Sequence, residues 1–137
     1  MKNLVVVAFL ALISGAVQAE VLNCGGTEPF WSLTINEEDK TVVYNDFNGE
    51  ENLKTFKNLK VAKPINDTSV RSITAERGFR GRKKLSAVVL LTDGDYRTYC
   101  SDGMSDFQYQ YEIILNLDGQ PLQGCCESSQ RPRRGDE

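Results

Sequence analysis

The sequence contains no histidine at all. That absence excludes every site that depends on an imidazole: histidine-ligated metals, Ser-His-Asp triads and Cys-His dyads. The 16 basic and 19 acidic residues are nearly balanced, and the slight acidic excess gives no reason to expect a nucleic-acid partner. From the residue types that remain, we predict no cofactor, no metal centre and no catalytic residue.

The segment 1–19 has the organisation of a secretory signal peptide. A charged start at Met1 and Lys2 precedes an apolar run, Leu4 to Val17, which is too short to span a membrane. Small residues around Ala19 supply the cleavage site that a signal peptidase recognises. The sequence therefore predicts a periplasmic or secreted protein whose mature chain begins at residue 20.

All four cysteines belong to the predicted mature chain, at positions 24, 100, 125 and 126. An even number of cysteines in an exported protein predicts two disulfides, and an oxidising compartment disfavours the alternative of a thiolate site for zinc or copper. Lipid attachment at Cys24 is disfavoured as well, because Asn23 stands where a lipid-attachment site needs a small residue.

Short stretches of alternating or β-branched residues predict seven or eight strands joined by turns, which is typical of an antiparallel barrel or sandwich. We predict a single small antiparallel β-barrel over 20–127, stapled by disulfides at one end. Besides the final hairpin strand, the predicted strands are 31–35, 41–47, 54–62, 68–74, 85–91, 96–100 and 109–117. Only 48–55 is predicted to form a helical turn. The tail 128–137 has no apolar residue to bury and is predicted to be disordered.

The last hairpin can be paired residue by residue. Asp118-Gly119 is a two-residue signal for a type I′ turn, and pairing outward from it places Tyr111 opposite Cys126. Because side chains alternate across a strand, Cys126 shares the core face with Tyr111 and Leu115. Cys125 then lies on the opposite face.

Closure of the barrel would bring the last strand beside both 24–31 and 100–106. A bond between adjacent cysteines would be strained. We therefore predict that Cys24 and Cys100 each bond one member of the pair at 125–126. Our preferred pairing is Cys24 with Cys125 and Cys100 with Cys126.

The same closure predicts a candidate site at the end of the barrel, formed by Glu28, Trp31, Ser101, Asp102, Ser105 and Asp106. Its oxygen atoms would suit calcium or another hard cation, although we favour Asp102 and Asp106 as turn residues that accept backbone hydrogen bonds. Glu28 with either aspartate would alternatively supply the carboxyl pair of a small hydrolase. A buried structural glutamate and a core tryptophan are the simpler interpretation.

The segment 77–84 concentrates five basic residues and one phenylalanine around two glycines. Its place between two predicted strands indicates a projecting hairpin loop. Such a loop would suit an anionic envelope polymer, an acidic protein or a membrane surface; otherwise it is a solvated loop that balances the acidic segment 37–51. The candidate partner-binding residues are Arg77, Phe79, Arg80, Arg82, Lys83 and Lys84.

Three motifs resemble those of a family of exported bacterial proteins, many of them lipoproteins, which carry C-G-T-E-P-F-W, S-D-G-M-S-D and G-C-C in this order. The corresponding stretches here are 24–31, 101–106 and 124–126, with a second glycine after Cys24. Some members are joined to META-type or lysozyme-inhibitor-like domains. The resemblance implies an exported β domain with an envelope role, and it supplies no established activity. The chain departs from the pattern at 107–110, where a basic residue and a proline often follow.

These observations lead to one functional hypothesis with alternatives. We predict a monomeric, non-catalytic protein that binds an envelope protein or an anionic polymer, in the manner of an inhibitor. The alternatives are the small hydrolase, a cation-binding protein and a small-molecule carrier. A carrier would need an open interior, whereas a barrel of this size is more naturally filled by side chains.

Overall fold

The computed structural model of the protein describes residues 19–48, 52–67, 69–92 and 99–135. Within these residues, eight antiparallel strands pair in chain order and the last pairs with the first, so the sheet closes into a barrel. This confirms the predicted small antiparallel β-barrel. The strands are β1 Val21–Thr27, β2 Phe30–Asn36, β3 Thr41–Asn45, β4 Leu53–Ala62, β5 Val70–Arg77, β6 Lys83–Leu91, β7 Tyr111–Leu117 and β8 Gln120–Ser128.

Because successive strands reverse direction, their connections lie at two opposite ends of the barrel. One end, which we call the hairpin end, carries the connections β1–β2, β3–β4, β5–β6 and β7–β8. The other end, which we call the Arg71 end, carries Glu20, the connections β2–β3, β4–β5 and β6–β7, and the residues that follow β8.

Three predicted elements differ from the structure. The prediction omits β1, because a glycine pair interrupts its alternating pattern. The helical turn predicted at 48–55 is wrong for 53–55, which begin β4. Most of the short strand predicted at 96–100 lies outside the described residues, and its last member, Cys100, forms an isolated bridge with Tyr109.

The segment predicted as a disordered tail starts at Ser128, the last residue of β8. Further along it, Arg134 exchanges two backbone hydrogen bonds with Gln108, of 2.6 and 2.8 Å. The carbonyl oxygen of Pro132 accepts a hydrogen bond of 2.7 Å from the side chain of Gln110. Residues 136–137 lie outside the described part of the chain.

Inward side chains of all eight strands fill the barrel. Trp31, predicted as a core residue, is buried, and its indole ring stacks on Tyr44 with ring centroids 6.4 Å apart. Gly26 and Gly124 make room for that indole, because a Cβ atom at either position would collide with it. The largest fully buried side chains are Phe56, Leu22, Leu33, Ile35, Ile73, Leu85, Ile113, Leu115, Val42, Val89 and Cys126.

The last hairpin has the predicted register. Asp118 and Gly119 both have positive φ, 50° and 87°, as a type I′ turn requires. Tyr111 stands opposite Cys126, and both Tyr111 and Leu115 are buried in the core. Local turn chemistry was therefore sufficient to position this part of the barrel.

Both disulfides join segments at the junction of β1 and β8, and their pairing corrects the preferred prediction. Cys24 bonds Cys126, and Cys100 bonds Cys125. The prediction that the first two cysteines each bond one of the last two is confirmed, but the assignment is wrong. Cys24 takes an inward position on β1, directly opposite the inward Cys126, whereas Cys100 lies on a loop outside the barrel beside the outward Cys125.

A buried ionic network closes the Arg71 end. The Arg71 side chain, 8% exposed, points inward from β5 and forms ion pairs of 2.9 Å with both Glu20 and Glu37. The Glu20 carboxylate also accepts hydrogen bonds from the hydroxyls of Tyr111, at 3.1 Å, and Ser128. Burial acts to raise the pKa of Glu20, but the hydrogen bonds from Ser128 and Arg71, with the Arg71 charge and Tyr111, outweigh it and hold that pKa below its usual value.

Candidate functional site

The loop that contains the predicted barrel-end residues lies against the outer face of β1 and β8. Together they line an open groove of about 460 Å³, formed by Gly25, Gly26, Thr27, Glu28, Cys100, Ser101, Asp102, Gly103, Met104, Gln123, Gly124 and Cys125. The hydroxyl of Thr27 fastens the loop to β1 by donating a 2.9 Å hydrogen bond to the carbonyl oxygen of Asp102. The structure thus brings Glu28, Ser101 and Asp102 together. Trp31 instead points into the barrel, and Asp106 does not line this groove.

Asp102 organises the turn that follows it. Its Oδ1 atom accepts backbone hydrogen bonds from Met104, at 2.9 Å, and Ser105, at 2.8 Å, while Oδ2 accepts the Ser105 hydroxyl at 2.7 Å. Burial acts to raise the pKa of Asp102, but these backbone and side-chain hydrogen bonds outweigh it and lower that pKa. The turn interpretation is confirmed for Asp102.

The other two acidic residues of the predicted site differ from expectation. Within the described residues, no hydrogen bond or ion pair reaches the Asp106 carboxylate, so the turn interpretation is wrong for Asp106. Glu28 is exposed in the turn between β1 and β2, rather than buried. The part of the chain that the structure describes contains no group of three or more Cys, Asp or Glu side chains arranged to hold a metal ion.

We expect Asp102→Ala to lower the free energy of unfolding by about 1–2 kcal/mol, because the amides of Met104 and Ser105 lose their acceptor. Asp106→Ala is the matched control, and its change should stay within about 0.5 kcal/mol. Urea denaturation measures both values. Millimolar calcium should leave the Tm of the wild-type protein unchanged; a rise in Tm that Asp102→Ala abolishes would show a cation site instead.

The same geometry bears on the hydrolase alternative. A general acid must hold its proton near the working pH, whereas the lowered pKa of Asp102 keeps its carboxyl group ionised at neutral pH. Both oxygens of that carboxylate already accept hydrogen bonds within the turn. Asp102 is therefore suited to hold the loop in place and poorly suited to donate a proton.

The segment 77–84 connects β5 to β6 at the hairpin end, as predicted, through a short 3-10 turn. The amide of Gly81 donates a 3.1 Å hydrogen bond to the carbonyl oxygen of Gly78 and closes the turn. Phe79 is 73% exposed, and the Arg80 guanidinium lies 5.2 Å from the centroid of its ring. Arg80 adopts a positive φ of 56°, which a non-glycine residue rarely takes.

Within the described part of the acidic segment, residues 37–48, no ion pair joins it to the basic loop. Among the described residues, Glu37 pairs with Arg71, Asp46 pairs with Lys54, and the one ion pair of the loop joins Lys83 to Asp118 at 3.9 Å. The contacts of the described residues therefore give no support to the hypothesis that 77–84 balances the charge of that acidic segment.

Exposed phenylalanine side chains collect at the same end of the barrel. Within the described residues, three phenylalanines are exposed: Phe30 by 56%, Phe47 by 59% and Phe79 by 73%. Each lies at or beside a connection of the hairpin end. Phe47 also has a positive φ, 58°, and its amide donates to the Asn45 side chain at 2.9 Å. The chain thus holds three phenylalanine rings at solvent-facing positions, and one of them, Phe47, has a disfavoured backbone conformation.

The charges of the chain are strongly segregated, which the sequence reasoning missed. The segment 52–92 contains ten of the 16 basic residues and only two of the 19 acidic ones. The prediction considered only 77–84, although lysines at 54, 57, 60 and 63 recur at three-residue spacing. A count of charge by segment would have revealed this asymmetry.

Comparison with known proteins found no relative of this chain. No family model, no curated protein and no solved structure matches the chain. Across the described ranges, no helix is long and apolar enough to cross a membrane. Function must therefore be argued from the residues themselves.

Proposed function

We propose that this protein is an exported, non-catalytic binding module of the cell envelope, which docks an envelope protein or an anionic polymer through its hairpin end. The signal-peptide pattern of 1–19, the two disulfides and the resemblance of its motifs to exported bacterial proteins support the compartment. The sulfur of Cys24 is bonded to Cys126 and is not available for a lipid thioether, which supports a protein without that anchor.

The main observation in favour of the proposal is the exposure of Phe79. Full burial of a phenylalanine contributes about 1.5–3 kcal/mol, and the loop forgoes most of this by leaving the ring 73% exposed. The neighbouring Arg80 holds a positive φ, a conformation that costs on the order of 1–3 kcal/mol for a non-glycine residue. Aromatic and arginine side chains are the residues that most often dominate binding interfaces. The loop is therefore better suited to contact with a partner than to the stability of the barrel.

The filled interior supports external binding over the carrier alternative. A carrier barrel needs a central cavity, whereas here the inward side chains form one continuous buried cluster. Binding by this protein is accordingly assigned to its surface.

A photo-crosslinking experiment tests the proposal. Phe79 is replaced by benzoylphenylalanine in the exported protein, and cells are irradiated before the envelope is extracted. The matched control carries the same probe at Ile65, which is 91% exposed at the opposite end of the barrel. We expect a discrete crosslinked envelope component from position 79 and none from position 65.

The expected crosslink should disappear when Arg80 and Arg82 of the probe-bearing protein are replaced by glutamine, because the charge that recruits an anionic partner is reduced. Crosslinks of equal yield from positions 79 and 65, or none from position 79, would overturn the proposal.

A further inference from the structure

The charge segregation has a definite location on the barrel. The segment with ten basic and two acidic residues forms β4, β5 and β6, which are neighbours in the sheet. Outside this segment the chain is strongly acidic, although its total formal charge is only −3. Arg71 points into the barrel and is paired with Glu20 and Glu37, which leaves nine basic residues in this segment. The wall formed by β4, β5 and β6, which we call the basic wall, therefore has the opposite charge from the rest of the molecule, and an electrostatic field of this kind directs the approach of an anion to one face.

Two adjoining grooves run over this wall. The first, of about 460 Å³, lies beside the β5–β6 turn and is lined by Thr55, Lys57, Asn58, Glu76, Arg77, Gly78, Arg80 and Gly81. The second, of about 350 Å³, continues across the strands and is lined by Asn58, Lys60, Thr74, Ala75, Glu76, Lys84, Leu85 and Ser86. They share Asn58 and Glu76, so the cationic side chains of both grooves face one continuous surface.

Among the described residues that line these grooves, Glu76 is the one with a carboxylate. Glu76 stands in register between Lys57 on β4 and Lys84 on β6, and its Oε1 atom accepts a 2.7 Å hydrogen bond from the Asn58 side chain. Within the described residues, none of the five cationic side chains that line the grooves forms an ion pair. The surface consequently has an excess of cations that an external anion would neutralise.

The arrangement fits an extended ligand better than a single small anion. Cations are spread across three strands and two grooves, and hydroxyl groups of Thr55, Thr74 and Ser86 lie among them. Arginine side chains such as Arg77 and Arg80 offer paired donors that match phosphate oxygens. We infer that the outer wall of β4, β5 and β6 is a binding track for a linear polyanion with repeated phosphate groups. This inference rests on the proposed binding function and extends its surface from the loop to Lys57, Lys60 and Lys84.

Long-chain inorganic polyphosphate is a suitable probe, because it presents only linked phosphates. Its binding to the intact mature protein is measured by fluorescence anisotropy over a series of salt concentrations. The test variant combines Lys57→Gln, Lys60→Gln and Lys84→Gln, three changes at exposed positions. We expect its affinity to fall about tenfold or more, and the slope of log K against log salt to fall by about one for each lysine removed.

Matched single changes distinguish a track from general charge attraction. Lys60→Gln and Arg134→Gln each remove one exposed cation, but Arg134 lies beside Gln108, outside the basic wall. Only Lys60→Gln should weaken binding. Equal effects of the two changes, or no binding of polyphosphate, would overturn the track.

Two further probes identify the source of the phosphate. Orthophosphate should compete only weakly, since it fills one position of the track; competition at equal phosphate concentration would overturn an extended site. Vesicles of anionic phospholipid should bind less tightly than polyphosphate. Tighter vesicle binding that depends on Phe79 and not on the three lysines would replace the track with a membrane contact. A crosslink from position 79 to a protein would preserve the proposed function even if the track failed.

Discussion

Arg71→Ala is expected to lower the free energy of unfolding by about 3–5 kcal/mol, because it leaves the carboxylates of Glu20 and Glu37 at the Arg71 end of the barrel without their cation. Arg82→Ala is the control, since Arg82 is exposed and its removal should change stability by less than about 0.5 kcal/mol. Urea denaturation at neutral pH measures both. A loss of similar small size for the two variants would mean that the network does not stabilise the barrel.

The pH dependence gives the same prediction a second readout. Hydrogen bonds and the Arg71 charge hold the pKa of Glu20 below its ordinary value of 4.5, so its contribution to stability is present above that value and is lost as the pH falls through the lowered pKa. In Arg71→Ala two of the influences that oppose the burial of Glu20, the hydrogen bond and the charge of Arg71, are lost, so the pKa of Glu20 rises. The acid-induced loss of stability should therefore be smaller in the variant than in the wild-type protein, because the pKa of Glu20 in the folded chain lies less far below its value in the unfolded chain.

Removal of the inner disulfide, Cys24–Cys126, is expected to destabilise the protein more than removal of the outer disulfide, Cys100–Cys125. Cys24–Cys126 encloses a sequence separation of 102 residues and Cys100–Cys125 one of 25, which correspond to about 4.7 and about 3.5 kcal/mol of lost chain entropy. The inner pair is also more deeply buried, so its replacement by alanine disturbs packing as well.

The measurement compares the double variant Cys24→Ala/Cys126→Ala with Cys100→Ala/Cys125→Ala by urea denaturation without reductant. Each variant keeps one native bond, and peptide mapping verifies which. An equal or larger loss for the outer pair would contradict the expectation that loop length and burial determine the cost.

Local chemistry explains what could be predicted from the sequence. Asp118-Gly119 determines its hairpin without reference to distant residues, and the register then places Tyr111 and Leu115 in the core. The barrel class follows from many such short strands. The disulfide pairing did not follow, because it depends on the face that Cys24 takes in β1, and the glycines of that strand obscure its pattern.

The features that could not be predicted depend on contacts between residues far apart in the sequence. Arg71 reaches Glu37 across 34 positions and Glu20 across 51, and the Ser128 hydroxyl reaches Glu20 across 108. Such contacts exist only once the barrel has closed, and no spacing in the chain indicates them. The basic wall was hidden for a related reason: the pairing of β4 with β5 shifts between Lys57 and Lys60, so lysines three positions apart both face outward.

The bond between Cys24 and Cys126 has a mechanical consequence. It joins the first and last strands, so tension applied to the two chain ends would pass from residue 24 directly to residue 126. The residues between them, across a separation of 102 positions, would carry no load while the bond remained intact. A partner held at the hairpin end would thus be carried by a domain that cannot be pulled open from its termini, and only a reductant would make it extensible.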